Sequence, residues 1–304
     1  MTIHIQEVIP RDGFQMEKKF IPTEDKIKII NRISRTGVSK IEVTSFVSPK
    51  AVPQLSDAEE VAKNIDRNKD ITYVGLVANL KGAERAADAG LDEINLVMSA
   101  SASHNKKNVN RTHEESLGEF SKIAAFVKGS GMKINGTVAT AFGCPFEGEI
   151  SEEAVMDFIR KYIDLGMDSI TLADTTGMAN PNQTKRFLTE VKENFTDIPL
   201  TLHLHDTRGM GLANLLAGIE AGVDRFDSAI GGIGGCPFAP GASGNICTED
   251  VVHMLGEMDI PHNVDLDEVI AISKELPDII GRSDYPGQVV KAGKVSDLHE
   301  FKVN

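Results

Sequence analysis

The chain has 304 residues, 41% hydrophobic and 25% charged, and a formal net charge of −13. No uncharged apolar run approaches the roughly 18 residues needed to span a bilayer, and the acidic balance argues against nucleic acid or an anionic membrane as partner, because the general field repels polyanions. Three cysteines (Cys144, Cys236, Cys247) are too few for a disulfide framework, and the start "MTIHIQEVIPRDG" has no basic region followed by an apolar stretch, so a reducing, cytoplasmic setting is expected.

Strand and helix signals alternate along the chain. An apolar run at 3–9 reads as the first strand and a helix is expected over about 23–37. "TGVSKIEVTSF" (36–46) then introduces a phrase that recurs as "AGLDEINLVMS" (89–99), "LGMDSITLADT" (165–175) and "AGVDRFDSAIG" (221–231), with "SGMKINGTVAT" (130–140) as a shorter variant. Glycine after a helical stretch is a left-handed cap and the run behind it is β-rich, so each phrase reads as helix end into strand. Further strands are expected at 71–78 and 199–205, which brings the total to eight. Helices are expected over 56–68, 80–90, 112–131, 151–166, 180–195, 208–222 and 246–258. In 112–131, Leu117, Phe120, Ile123, Ala124 and Val127 share a face, and Thr112 with Glu115 forms a capping box. Eight β/α alternations imply an α/β fold, a (β/α)8 TIM barrel over 1–259, with 260–304 as a C-terminal helical extension of the same domain; an open doubly wound sheet is the competing arrangement.

Chemistry in such barrels gathers where strands end. Those positions hold Arg11 and Asp12 after strand 1, Glu42 in strand 2, Asp174 after strand 6, His203 and His205 in strand 7, and "GGIGGCPFAPGASGN" after strand 8. Strand alternation puts His203 and His205 on one face, about 7 Å apart along the chain. Such a pair can share a metal ion, or it can be two hydrogen-bonded polar residues at a barrel mouth. Strands 7, 8 and 1 adjoin in a closed barrel, so Asp12 and Asn245 can add oxygen ligands. Two nitrogens and two oxygens suit Mg2+ or Mn2+ better than a closed zinc site, though zinc stays open. Glu42 and Asp174 can act behind these ligands by orienting an imidazole or Arg11, or they can be structural ion-pair partners. Cys144 and Cys247 read as buried filler. Cys236 lies in a glycine-rich stretch, 231–244, suited to a mobile lid that ends at Asn245.

"EVIPRDGFQ", "TSFVSPKAVPQ", "GCPFEG", "HLHDTRGMGLAN" and above all "SAIGGIGGCPFAPGASGN" with "CTEDVV" resemble the 3-hydroxy-3-methylglutaryl-CoA lyase family over residues 3–280. The resemblance implies a carbon-carbon lyase that splits this acyl-CoA into acetyl-CoA and acetoacetate, as in leucine degradation, and acts as a homodimer. It implies a divalent metal at Asp12, His203, His205 and Asn245, Arg11 on the developing enolate, Cys236 moving a proton at C2, and Gln15 with Arg11 holding substrate. Asp12, His203 and Cys236 all remain candidates for removing the hydroxyl proton, with Glu42 among the supporting catalytic groups. Lys106, Lys107 and Arg111 are the nearest approach to a basic patch for the CoA phosphates, although a solvated charge run explains them as well. Two departures stand out: Arg208 replaces a family tyrosine, and the tail after 282 is unlike the family's ending. The alternatives are an isopropylmalate- or homocitrate-synthase-like Claisen acyltransferase, whose members carry Gly-Glu-Arg-Ala-Gly-Asn where this chain has "GGCPFAPGASGN", and a noncatalytic metal-binding barrel, which a thiol near the site disfavours.

Overall fold

The structure, a computed structural model, describes residues 1–235 and 244–298. Eight parallel strands close on themselves in sequence order, β1 pairing with both β2 and β8. They are β1 His4–Glu7, β2 Lys40–Ser45, β3 Thr72–Val77, β4 Glu93–Ser99, β5 Lys133–Ala139, β6 Ser169–Asp174, β7 Leu200–Leu204 and β8 Arg225–Ser228. The helices are α1 Thr23–Ile33, α2 Ala58–Asn64, α3 Leu80–Asp88, α4 Ala102–Val109, α5 His113–Val127, α6 Glu152–Asp164, α7 Pro181–Asn194, α8 Gly211–Glu220, α9 Thr248–Glu257, α10 Leu266–Ile280 and the short α11 Val289–Ala292. The closed ladder is the expected (β/α)8 barrel and excludes the open sheet. Among the described residues no helix is long and apolar enough to cross a membrane.

Alternation on each strand decides what faces the site. In β7, Leu202 and Leu204 are fully buried under the helices while Thr201 and His203 turn into the barrel. Leu202 and Phe226 of β8 press against α8 at Gly218, where an added Cβ would meet both. Burying a leucine of this kind stabilises by roughly 1.5–3 kcal/mol, so a one-residue register slip, which would exchange the imidazole and leucine faces, is strongly disfavoured.

One element departs from the expectation. The stretch after β4, read from sequence as a loop, is the helix α4. It has almost no apolar periodicity, and its limits come from local chemistry: Ser101 Oγ accepts from His104 N at 3.0 Å at the start, and Asn110 turns left-handed, φ 55°, at the end. The Thr112/Glu115 capping box opens α5 as expected, with both reciprocal hydrogen bonds present.

Candidate functional site

The chain leaving β1 does not continue extended. A wide helical turn over Ile9–Gly13 wraps back so that Arg11 N and Asp12 N both reach Val8 O, at 3.2 and 2.8 Å. That turn lays Asp12 and Arg11 across the C-terminal mouth of the barrel. Its first amide is held by Glu7, whose Oε1 accepts from Ile9 N (2.9 Å) and from Ile230 N after β8 (3.1 Å) while Oε2 accepts from Thr248 Oγ1 (2.7 Å). One fully buried carboxyl thus ties together the exits of β1 and β8, and burial pushes its pKa up to about 8.

Asn245 arrives by a different route. After the glycine-rich segment the chain returns antiparallel along the end of β7, where Asp206 N donates to Gly244 O (3.1 Å) and Ile246 N to Leu204 O (3.1 Å), so that Asn245 pairs with His205. Its Nδ2 donates to Asp12 Oδ2 at 2.7 Å and to Ile233 O at 3.1 Å. Gly234 lies against this pair; with φ at 120° and a hypothetical Cβ only 2.5 Å from Asn245 Nδ2 and 2.9 Å from Asp12 Oδ2, only glycine fits there.

Asp12, His203 and His205 each offer a ligand atom within 4.8 Å of the others, all three side chains being buried. His203 Nε2 and His205 Nε2 lie 3.1 Å apart. His203 Nδ1 faces Asp227 Oδ2 at 3.0 Å. A carboxylate at Nδ1 keeps the proton there and leaves Nε2 as the lone-pair nitrogen, the usual arrangement behind a metal-bound imidazole. Burial draws His203 toward neutrality, but the Asp227 hydrogen bond and the charges of Asp227 and Asp12 outweigh it and hold the ring above its ordinary range.

Arg11 completes the cluster. Its Nε donates to Glu42 Oε2 at 2.6 Å and its Nη1 to Asp12 Oδ1 at 2.5 Å, while Gln15 Nε2 reaches the same Asp12 oxygen at 3.0 Å. Burial works against the guanidinium charge, yet Glu42 and Asp12 more than offset this and keep it ionised. Asp12 is likewise pushed up by burial and drawn down further by Arg11, His205 and His203, ending below the usual carboxylate range. Asp12, Glu42 and Asp227 against one guanidinium leave two negative charges, three minus one, before the imidazoles are counted. Asn245 Oδ1 is buried with no hydrogen-bond partner among the described residues. An orphaned carbonyl oxygen, two neighbouring imidazole nitrogens, a carboxylate and a net negative charge fit a divalent cation. Asp12, His203 and His205 line a cavity of about 440 Å3 at the strand ends.

The structure therefore brings together Arg11, Asp12, Gln15, Glu42, His203, His205 and Asn245. Asp174 is placed otherwise: its carboxylate accepts from Met178 N (2.7 Å) and Ala179 N (3.1 Å), and burial raises its pKa to about 6. It pins the loop after β6 and makes no hydrogen bond to an imidazole or to Arg11 among the described residues. Cys144 is buried, its thiol donating to Ser101 Oγ at 3.0 Å, and Cys247 is buried with its thiol pushed up by burial. Cys236 lies outside the described residues. Lys106 and Lys107 sit on α4, with Lys107 Nζ 4.6 Å from the Phe146 ring centroid, and Arg111 donates to Ala78 O at 2.6 Å beside the cavity.

Two groups escaped the sequence reading. Asp227, opposite His203 in the β7–β8 register, was signalled by the same alternation that singled out the histidines. The second is a polar belt beneath the site: Asn95 Nδ2 donates to Glu42 Oε1 (3.1 Å), and Asn95 Oδ1 accepts from Thr137 Oγ1 (2.7 Å) and Asn135 Nδ2 (3.0 Å). It fixes the face of Glu42 turned away from Arg11. A register shift in β2 at Glu42/Thr44 accompanies this placement.

The HMGL-like family pattern matches residues 2–276. A hydroxymethylglutaryl-CoA lyase of Bacillus subtilis is 43% identical over 92% of this chain and 94% of its own. An (R)-citramalyl-CoA lyase of Chloroflexus aurantiacus is 40% identical over 97% of this chain and 96% of its own. Among solved structures, an HMG-CoA lyase from Acenitobacter baumannii, in complex with coenzyme A and 3-methylmalate, superposes with a TM-score of 0.95 at 53% identity, covering 99% of this chain and 98% of that one. With likeness over nearly its whole length and an Asp/His cluster at the barrel mouth, the chain belongs to the HMGL-like family.

Proposed function

We propose that the chain is a carbon-carbon lyase that cleaves 3-hydroxy-3-methylglutaryl-CoA to acetyl-CoA and acetoacetate in the cytoplasm, as a step of leucine breakdown. The observation that carries this reading is the contact of Arg11 with the Asp12–His203–His205 cluster at the cavity mouth, in a chain 43% identical to a named lyase of this kind. Asp12, His203, His205 and Asn245 would hold a divalent ion, Mg2+ or Mn2+ by the hardness and number of donors. Such an ion, when bound, acidifies the tertiary hydroxyl of the substrate and orients it.

The chain's own groups supply the rest. Loss of the hydroxyl proton lets its oxygen form the ketone of acetoacetate as the C2–C3 bond breaks. The bonding pair passes to C2 and the thioester oxygen, making the enolate of acetyl-CoA. Arg11, locked by Glu42 and always charged, stands ready to stabilise that oxygen as its charge grows. Asp12, His203 and Cys236 are the candidates for taking the hydroxyl proton, and Cys236 is also the group we assign to protonating C2. Gln15, tied to Asp12, would help hold the acyl arm.

Purified protein with 3-hydroxy-3-methylglutaryl-CoA and Mg2+ or Mn2+ should yield acetoacetate. Absence of acetoacetate, with CoA released from acetyl-CoA and a 2-oxo acid, would transfer the chain to the acyltransferase reading. A second lyase reading rests on the 97% coverage by the (R)-citramalyl-CoA lyase: the same bond cleavage on a shorter acid arm gives pyruvate in place of acetoacetate, and the two thioesters assayed side by side separate the two.

A further inference from the structure

Beyond the strands, the tail makes contacts that the reaction does not require of a mere C-terminal cover. Arg282 reaches back 265 residues to Glu17, its Nη2 donating to Oε1 at 2.7 Å and its Nε to Oε2 at 3.0 Å. Glu17 is buried and follows Gln15 by two residues and Asp12 by five. The Arg282 guanidinium also lies 5.0 Å from the centroid of the Tyr285 ring. That ring packs over Gly231, where a hypothetical Cβ would come within 3.7 Å of Tyr285 Cγ, and Pro286 packs on Gly232, where a Cβ would come within 2.7 Å of Pro286 Cγ. From below, Glu249 accepts from Gly231 N at 3.1 Å and from Ser273 Oγ of α10 at 2.6 Å. The far end is fastened by Asp250, which accepts from Gln288 N (2.9 Å) and Val289 N (2.8 Å). Three residues beyond Gly231, Gly234 lies directly against Asp12 and Asn245.

We propose that Arg282–Val289 is a strap that sets the metal-ligand geometry from outside the barrel, with Arg282 and Tyr285 as positioning residues. It grips the two segments that meet at Asp12: the stretch after β1 that carries Asp12, held through Glu17, and the Gly231–Gly234 chain after β8, held through Tyr285 and Pro286. Neither segment is part of a strand, so the ladder alone does not fix their separation. The aromatic ring and the bidentate guanidinium do, since a planar fork held on a carboxylate and stacked on a ring has little freedom left. The strap acts through Asp12 and Asn245 and touches no reacting atom; it rests on the proposed metal site but not on the identity of the acyl-CoA.

The test uses the full chain with Arg282→Gln, Arg282→Lys and Tyr285→Leu, and Arg186→Gln as a control that loses only an exposed pair with Glu152. Mn2+ affinity is measured by electron paramagnetic resonance of the free ion, amide exchange is followed over residues 229–235 in metal-free protein, and kcat and KM are measured separately. Arg282→Gln is expected to weaken Mn2+ binding about tenfold, by analogy with other groups that orient ligands, to speed exchange at 229–235, and to lower kcat with KM changed less than twofold. Tyr285→Leu should do the same, Arg282→Lys should recover part of the loss, and Arg186→Gln should match the wild type. Unchanged Mn2+ affinity and exchange in both Arg282→Gln and Tyr285→Leu overturn the strap, as does a kcat loss that merely follows a lowered melting temperature. If the wild type turns over no acyl-CoA, the lyase reading fails while the binding and exchange measurements still decide this one.

Discussion

Replacing Asp227 by Asn is the most direct probe of how the histidines are prepared. The carboxylate sits 3.0 Å from His203 Nδ1 and has 13% side-chain exposure, so the interaction is largely shielded from water. Asn keeps the shape and an acceptor oxygen but removes the charge that holds the proton on Nδ1 and makes Nε2 basic. Groups in this position behind metal-bound imidazoles typically contribute 10–100-fold in metal affinity, about 1.4–2.7 kcal/mol. A value toward the lower half is expected here, because Asp12 also faces the ring and partly retains the favourable field. Mn2+ titration of wild type and Asp227→Asn, with thermal melts to confirm equal folding, gives the answer. Equal affinity for Mn2+ in both proteins would refute the assignment of His203 Nε2 as a ligand oriented by Asp227.

Arg11→Gln should leave Mn2+ binding nearly intact and lower kcat by about 10³, the upper range for loss of one oxyanion donor; a rise in KM alone would contradict a role on the developing enolate. Cys236→Ala should abolish most turnover with metal still bound, whereas Cys144→Ala should be mild, since that thiol is committed to Ser101; equal activities of the two would remove the proton-transfer role. Glu7 has a folded pKa of about 8 against 4.5 for the free side chain. Its protonated form is favoured by folding, so its contribution is complete below about pH 4.5 and is lost as pH rises toward 8, by at most on the order of 5 kcal/mol. Glu7→Gln should therefore flatten the decline of urea-unfolding stability across that window and be more stable than wild type at pH 8.5; an unchanged slope would show that Glu7 is ionised throughout.

The barrel was legible because five of its eight units, at 36–46, 89–99, 130–140, 165–175 and 221–231, repeat the same local chemistry. A glycine ends a helix and a β-rich run follows, and no long-range information is needed to see either. His203 and His205 were legible for a related reason: in "LTLHLHDTRG" the leucines mark the helix-facing side of the strand, so the imidazoles must turn inward. Asp227 obeys the same rule, with Phe226 and Ser228 on the other face, but in "DRFDSA" the flanking Asp224 and Arg225 make a lone inward carboxylate hard to tell from a solvated run. The Asn95–Asn135–Thr137 belt was hidden by the closure of the sheet. In an open antiparallel sheet polar residues at every second position signal water, whereas inside a barrel they signal a shared interior that only the register reveals.

Asp174 shows how residue type and position can point to the right mouth and still leave the partner open. An inward carboxylate at the end of β6 can orient an imidazole or hold its own loop, and the decision falls to the Met178 and Ala179 amides, which the turn at Gly177, φ 60°, swings back toward it. The strap is further still from local signals, since Arg282 and Glu17 are 265 residues apart and neither lies in a patterned element. Its logic follows from the site itself. A cation cluster needs Asp12 and Asn245 held closely in place, yet both lie beyond the eight strands, Asp12 on one helical turn and Asn245 on a short antiparallel bridge to His205. Local backbone pairing to Val8, Leu204 and Asp206 holds each piece in part, and groups that come from elsewhere complete the hold. Glu7 and Glu249 hold the strand exits from beneath and Arg282 with Tyr285 from outside, so the buried acids and the tail do for these two turns what strand pairing does for His203.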